Sequence, residues 1–210
     1  IVDAENITTR YTHHVTGQVE TTIDGRSKVW TNHYNDAGWL TRRQDPIHPA
    51  TTFGYDKVGN RITTTDAANH RTTFSYDALN RLVKTTDAKQ GESTTVYTPD
   101  GLITERTDPS GQKTTMQYDA RGRLWKVIDG ANNVTETVYG TAENALTGLV
   151  AAMQYPTYRE EYKYDPRGRR TQTIRVLSES RRETTASGFD ANGNTISSTD
   201  ALGRSTLYRY

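Results

Sequence analysis

Aspartate is the residue type in this chain whose spacing most invites a chemical reading. Carboxylates stand at Asp56, Asp66, Asp77, Asp87, Asp108, Asp119, Asp129, Asp165, Asp190 and Asp200. Paired carboxylates serve general acid–base catalysis, and oxygen-rich loops hold calcium. Neither pattern is met, because each short segment offers a single carboxylate where tandem calcium loops concentrate several. The histidines, His13, His14, His33, His48 and His70, show no His-Glu-x-x-His or comparable ligand spacing. On a strand, His13 and His14 would point to opposite faces. No nucleophile elbow, phosphate loop or dinucleotide fingerprint occurs. With no cysteine, disulfide, thiolate and zinc-thiolate chemistry is absent. The residues therefore predict no catalytic site, no metal site and no cofactor, and the chain reads as non-enzymatic.

The aspartates fit a turn instead. An aromatic followed by Asp, or by a close substitute, recurs at Tyr34, Tyr55, Tyr76, Tyr97, Tyr118, Tyr139, Tyr164, Phe189 and Tyr210. The first five steps span 21 residues, two steps of 25 follow, and 21 then returns. A second aspartate follows the aromatic by 11 residues at Asp45, Asp66, Asp87, Asp108, Asp129 and Asp200. After the first aspartate position comes Gly38, Gly59, Gly101, Gly122, Gly168 or Gly193, with Asn80 standing in once. Asp-x-x-Gly is the pattern of a type I turn, with the carboxylate bonding backbone at the entrance and glycine taking a positive φ at the exit. Asn is the best non-glycine substitute there.

Composition agrees with strands joined by such turns. Only 32% of the 210 residues are hydrophobic and mean hydropathy is −0.85, yet net charge is +1. Disordered segments combine low hydrophobicity with high net charge, whereas this chain is rich in Thr and Tyr, which favour strands. A nucleic-acid groove is not expected, since 26 basic residues are balanced by 25 acidic ones. No apolar run is long enough for a membrane span. The Ile1-Val2-Asp3-Ala4-Glu5 start has neither the basic nor the apolar part of a targeting signal. Without an initiating Met, and with Arg209-Tyr210 falling in mid-pattern, the chain reads as a piece of a longer protein.

Each period is then one β-hairpin, and successive hairpins continue as a meander. Allowing about four residues per turn leaves strands of roughly six to seven residues. About sixteen strands are expected, more than open sheets usually hold without curling, so the array should be an elongated, curved antiparallel sheet. In strands entering each aromatic, one face carries Thr72, Phe74 and Tyr76, or Thr114, Met116 and Tyr118; the other carries Arg71, Thr73 and Ser75. Arginines after the turns, Arg61, Arg81, Arg123, Arg169 and Arg170, are placed to pair with aspartates across the ladder. Four stretches follow: a degenerate repeat over 1–33, regular repeats over 34–138, two longer repeats over 139–188, and a regular repeat over 189–210. Within the longer ones, a helix over 142–152 competes with a longer hairpin. The hairpin is preferred, because Gly148 interrupts the helical pattern and Tyr155-Pro156 ends a strand.

The units Tyr76-Asp77-Ala78-Leu79-Asn80-Arg81-Leu82, continued to Thr86-Asp87, and Tyr118-Asp119-Ala120-Arg121-Gly122-Arg123-Leu124 resemble the YD repeats of the rearrangement-hotspot (Rhs) family. The resemblance runs from Tyr34 onward and more weakly from Tyr11. Proteins similar to it include bacterial Rhs polymorphic toxins, the B and C components of insecticidal toxin complexes, wall-associated contact toxins and animal teneurins. The resemblance implies a wall segment of a hollow β-shell that encloses a C-terminal toxin or effector domain, in a protein secreted or exported from a bacterial cell. Implied partners are the remainder of the polypeptide with its cargo, and secretion-system components or cell-surface glycans. The family's self-cleavage sequence, Asp-Pro-x-Gly-Leu, is matched only in its first four residues by Asp165-Pro166-Arg167-Gly168 and Asp108-Pro109-Ser110-Gly111. Both sit in register with the turns and are read as turns. A second reading makes the Tyr column a carbohydrate or cell-surface binding array, in which exposed rings stack on sugars. Its counterpart is rings that pack and satisfy their hydroxyls locally.

Overall fold

Asp-x-x-Gly punctuation with strand-favouring residues between leaves the backbone one regular outcome, a run of antiparallel hairpins. The computed structural model describes residues 8–141 and 146–210. Among these there are 19 strands and no helix. The chain divides into two compact units, Ile1–Val96 with Thr107–Gly111, and Tyr97–Arg106 with Gln112–Tyr210.

Strands β1 (Arg10–His13), β2 (Val19–Ile23), β3 (Val29–Tyr34), β4 (Leu40–Gln44), β5 (Thr51–Tyr55), β6 (Arg61–Thr65), β7 (Arg71–Tyr76) and β8 (Leu82–Thr86) belong to the first unit, and β9 (Glu92–Tyr97) and β10 (Ile103–Thr107) follow. The second unit continues with β11 (Lys113–Tyr118), β12 (Leu124–Ile128), β13 (Val134–Tyr139), β14 (Val150–Gln154), β15 (Arg159–Tyr164), β16 (Arg170–Val176), β17 (Arg182–Phe189), β18 (Thr195–Thr199) and β19 (Ser205–Leu207). Within each unit a strand pairs antiparallel with its sequence neighbour, as in β6 with β7 or β12 with β13. The count exceeds the expected sixteen by three, and β1, β2 and β3 supply the excess from the degenerate N-terminal stretch.

The hairpins are of two kinds. Where the turn follows the aromatic, the register slips by one residue: Ser75 pairs with Lys84 but Tyr76 pairs with Leu82, leaving Val83 as a bulge. The same slip occurs at Tyr34, Tyr55, Tyr118, Tyr139, Tyr164 and Phe189. Where the turn starts at the second aspartate, as between β6 and β7, the ladder runs without a slip. A bulge kinks its strand and re-aims side chains. Here it puts the residue six after the aromatic, Leu40, Arg61, Leu82 or Leu124, directly opposite that aromatic.

The 25-residue steps use their extra length differently. Between Tyr139 and Val150 the chain needs a longer connection before β14, with a bridge from Gly140 to Thr147. Residues 142–145 of the expected helix or hairpin lie outside the described residues; from 150 the chain is strand. In the next step both strands lengthen, β16 to 7 residues and β17 to 8. Little of this is core. Among the described residues the buried apolar side chains are Ala152, at 1% exposure, and Tyr162, at 7%.

Candidate functional site

Each turn satisfies its own polar groups. Asp77 N–H donates to Arg81 O and Asn80 N–H to Asp77 O, both at 3.0 Å, the three-residue hairpin loop of a type I turn followed by a left-handed residue. The Asp77 carboxylate accepts from Leu79 N–H and Arg81 N–H, each 2.9 Å. Asp56, Asp119, Asp129, Asp165, Asp190 and Asp200 repeat this double acceptance. Asp66 and Asp87 do so too, and Asp108 accepts from Ser110. The Arg81 N–H bond, chiefly, holds the Asp77 carboxyl below the usual carboxylate range, and those of Arg123 and Arg169 do the same for Asp119 and Asp165. At the left-handed position φ is +99° at Gly59, +94° at Gly101, +74° at Gly122, +76° at Gly168 and +96° at Gly193, and +59° at Asn80. Among the second-aspartate turns, those of Asp108 and Asp200 keep the expected glycine, Gly111 at +83° and Gly203 at +79°, whereas Asn69, Gln90 and Asn132 take φ of +65°, +70° and +62° in its place. Asn tolerates this region because its short amide bonds locally.

The tyrosine hydroxyls have one recurring destination. Tyr55 donates to Leu40 O at 2.8 Å, Tyr76 to Arg61 O at 3.0 Å, Tyr118 to Ile103 O at 2.8 Å and Tyr139 to Leu124 O at 3.0 Å, each 15 residues back. Tyr34 and Tyr164 reach Val19 O and Val150 O in the same way. The β6–β7 ladder ends at Thr63 and Thr73, so the carbonyl of Arg61 lies beyond its last rung. The phenol spans that gap. Removing the ring would leave this carbonyl without its partner.

The arginines do not pair across the ladder as expected. Arg81, Arg123 and Arg169 close on the aspartate of their own turn, at 2.7, 2.7 and 2.6 Å. The arginine also lies against the next aromatic: the Arg123 guanidinium is 3.9 Å from the Tyr139 ring centre, and that of Arg169 is 4.8 Å from Phe189. Trp39 takes the equivalent place beside Tyr55, ring centres 5.4 Å apart. Where arginine occupies the position opposite the aromatic, it is covered by another ring. Arg61 lies 5.9 Å from Phe53 and 5.2 Å from Phe74, and Arg170 lies 5.0 Å from Tyr162. Guanidinium over an aromatic face is favourable, which lets the charge sit in a row where Leu40, Leu82, Leu124, Val150 and Thr195 face the other aromatics. The periodicity gave no sign of this, although alternating 10- and 11-residue spacings such as Asp56–Asp66–Asp77 carry the signal of the bulge.

The densest polar constellation lies on β15 and β16. Tyr162 donates to Glu160 Oε2 at 2.9 Å, and Arg175 reaches Glu160 Oε1 with Nε at 3.2 Å and Nη2 at 3.1 Å. Arg175 also lies 5.2 Å from the Tyr158 ring, which stacks on Tyr155 with centres 4.5 Å apart. Burial, and then the bond to Glu160, push the Tyr162 hydroxyl above its ordinary pKa. A cleft of about 110 Å³ beside this group is lined by Glu160, Thr173, Arg175, Glu183, Thr185 and Ala201. Its charges are paired: Glu160 holds Arg175, and Glu183 holds Arg181 at 3.2 Å. The arrangement holds strands together and offers no polarised nucleophile. Of the histidines, His48 and His70 rest on the turn carboxylates of Asp45 and Asp66 at 2.9 and 3.1 Å. Among the described residues, no three His, Cys, Asp or Glu side chains converge as metal ligands, and no helix is long and apolar enough to cross a membrane.

The sequence matches the family described as RHS Repeat over residues 34–71, 55–92, 97–143 and 189–210. No curated protein matches the chain. Among solved structures, it is similar to the crystal structure of TcdB2-TccC3 without its hypervariable C-terminal region, with a TM-score of 0.73 at 15% identity, over 99% of this chain and 14% of that one. The crystal structure of TcdB2-TccC3 gives the same figures. The Photorhabdus luminescens Tc holotoxin pore gives a TM-score of 0.72 at 14% identity, over 98% of this chain and 14% of that one. At such identities the likeness is one of fold, and the chain spans about a seventh of those chains' length. With the repeat matched over more than half of its residues, the chain belongs to the RHS repeat family.

Proposed function

We propose that this chain is a non-catalytic wall segment of an Rhs-type β-shell, and that the shell encloses a C-terminal toxin or effector domain of the same polypeptide. One observation carries the proposal: the sheets have almost no interior of their own. Both faces are half-exposed, and buried apolar side chains among the described residues are confined to Ala152 and Tyr162. A sheet in this state is completed by what surrounds it, and the fold likeness to TcdB2-TccC3, whose C-terminal region is hypervariable, supports a shell as that setting. The mechanism is physical: a wall excludes the surroundings from the cargo until release. The stretches 1–33, 34–138, 139–188 and 189–210 are the successive courses of that wall. The protein is secreted or exported from a bacterial cell, and its partners are the rest of its own chain, its cargo and the machinery that delivers it.

Limited proteolysis of the full-length protein tests this reading. The cargo domain should resist cleavage within the intact protein and be cut quickly when expressed free. Equal rates in both settings would refute enclosure. The tyrosine-array reading finds less support, because the repeat hydroxyls are committed to backbone carbonyls rather than presented to a ligand.

A further inference from the structure

At Arg61 and Arg170 an arginine stands opposite the repeat aromatic, and the two are covered differently. Arg61, opposite Tyr55, lies near both Phe53 and Phe74, which stand two before the tyrosines of the flanking strands β5 and β7. Arg170, opposite Tyr164, lies 5.0 Å from the ring of Tyr162 on β15. The matching place on β17, two before Phe189, is held by Ser187. Among the described residues no second ring covers this guanidinium. On its uncovered side a cleft of about 120 Å³ is lined by Arg170, Thr171, Gln172, Thr173, Thr185 and Ser187.

The cleft is rich in donors and poor in acceptors. The Thr171 hydroxyl is committed to Lys163 O at 3.2 Å. The Arg170 guanidinium meets no carboxylate, and the hydroxyls of Thr173, Thr185 and Ser187 have no hydrogen-bond partner among the described residues. The lining holds one cation and no anion. Beyond Thr173 and Thr185 stand Glu160 and Glu183, and these are already engaged by Arg175 and Arg181. Thr173 and Thr185 face each other across the ladder, and Ser187 follows Thr185 on the same face about 7 Å further along. A carboxylate has two oxygens, and a guanidinium fork takes both. A tetrahedral oxyanion keeps further oxygens for the hydroxyls.

We infer that the Arg170 cleft binds a free tetrahedral oxyanion, inorganic phosphate or sulfate, and that the bound ion ties β16 to β17. The guanidinium, backed by the Tyr162 ring, holds two of its oxygens, and the hydroxyls of Thr185 and Ser187 donate to the others. Tyr162 contributes only its ring face, because its hydroxyl is given to Glu160. The ion does for Arg170 what the second phenylalanine does for Arg61: it satisfies the side of the charge that the first ring leaves open. The site lies on three consecutive strands of one unit and does not depend on the wall reading.

The test is calorimetric titration of the intact protein with sodium phosphate and, separately, with sodium sulfate, at an ionic strength fixed with sodium chloride. Sodium acetate is the control. Saturable binding of an oxyanion and about tenfold weaker binding of acetate are expected; binding of phosphate or sulfate alone supports the site and identifies its ion. Ser187→Phe, the residue type of Phe53 and Phe74 at that place, should abolish binding with an unchanged circular dichroism spectrum. Arg170→Leu, the residue type of Leu40, Leu82 and Leu124, should do the same. Thr185→Val removes one donor at nearly constant shape and should weaken binding about threefold. The urea midpoint should rise with oxyanion concentration in the parent protein and stay fixed in Ser187→Phe. Absence of saturable binding of both oxyanions, acetate binding as tight as either, or unchanged binding in Ser187→Phe or in Arg170→Leu would each overturn the assignment.

Discussion

Two stretches of the molecule, β5–β8 and β14–β17, use the same repeat to opposite ends. In β5–β8 no described side chain is buried: Phe53, Phe74, Tyr55 and Tyr76 are half-exposed, and Arg61 bridges the two phenylalanines. In β14–β17 the equivalent of Phe74 is Tyr162, which is buried and tied through Glu160 to Arg175. Glu160 stands where Thr72 stands in the regular repeat, and its side chain is 14% exposed. The difference teaches that the regular unit is held by local loops and single hydroxyl bonds, each modest and replaceable. The irregular unit concentrates its stability in a few side chains.

The largest effect is expected at that concentration point. Tyr162→Ala should lower unfolding free energy by about 3–5 kcal/mol, read by urea denaturation, against about 1–2 kcal/mol for Phe74→Ala at the half-exposed counterpart. Equal costs would dissolve the contrast. Glu160→Ala strips a partner from both Tyr162 and Arg175 and should cost about 1–3 kcal/mol; a double-mutant cycle with Tyr162→Phe should show strong coupling. The regular stretch predicts the reverse pattern. Tyr76→Phe, which deletes the bond to Arg61 O, should cost only about 1 kcal/mol, and its effect should add independently to that of Tyr139→Phe.

The smallest contrast is in pH dependence, and its two arms differ. Tyr162 holds its proton more tightly folded than unfolded, so its contribution is complete below the ordinary tyrosine pKa of about 10 and fades as pH rises beyond it. Denaturation midpoints followed into alkali should fall, and Tyr162→Phe should remove part of that fall. Turn aspartates behave oppositely. Their folded pKa values lie below 3.8, with Asp45 lowered to about 2 chiefly by the His48 and Ile47 N–H groups. Their contribution is present above pH 3.8 and is lost as pH falls toward 2. Because β5–β8 carries three such turns, at Asp56, Asp66 and Asp77, and β14–β17 one, at Asp165, acid should weaken the first stretch more. Equal acid sensitivity would show that something besides the turns titrates.

How far this was legible from sequence can be followed residue by residue. Asp77 and Asn80 could be assigned because the backbone bonds that define their turn lie within the same five-residue loop. The bond from Asn60 Nδ2 to Asn80 Oδ1 at 2.8 Å, by contrast, joins two turns and had no local signal. The all-β class, the alternation that puts Phe74 and Tyr76 on one face, and the family followed from the same local pattern. Arg61 and Arg170 could not be placed. Strict alternation puts Ile62, not Arg61, opposite Tyr55, and only the bulge exchanges them. The paired substitution, an arginine after the turn with an aromatic two before the tyrosine, is visible in Phe53, Arg61 and Phe74 once the bulge is known.

Sequence by itself determined the 21-residue period, the turns and the antiparallel course of the chain, because these depend on backbone preferences within a few residues. Tertiary structure decided where the tyrosine hydroxyls end, which arginines stack on rings, and that Tyr162 is buried while Phe74 is not. Those outcomes depend on register between neighbouring strands, joining residues from 8 to more than 15 positions apart, as in Arg170 with Tyr162 and Tyr76 with Arg61. A single bulged residue resets that register, and with it the face on which every neighbouring side chain falls.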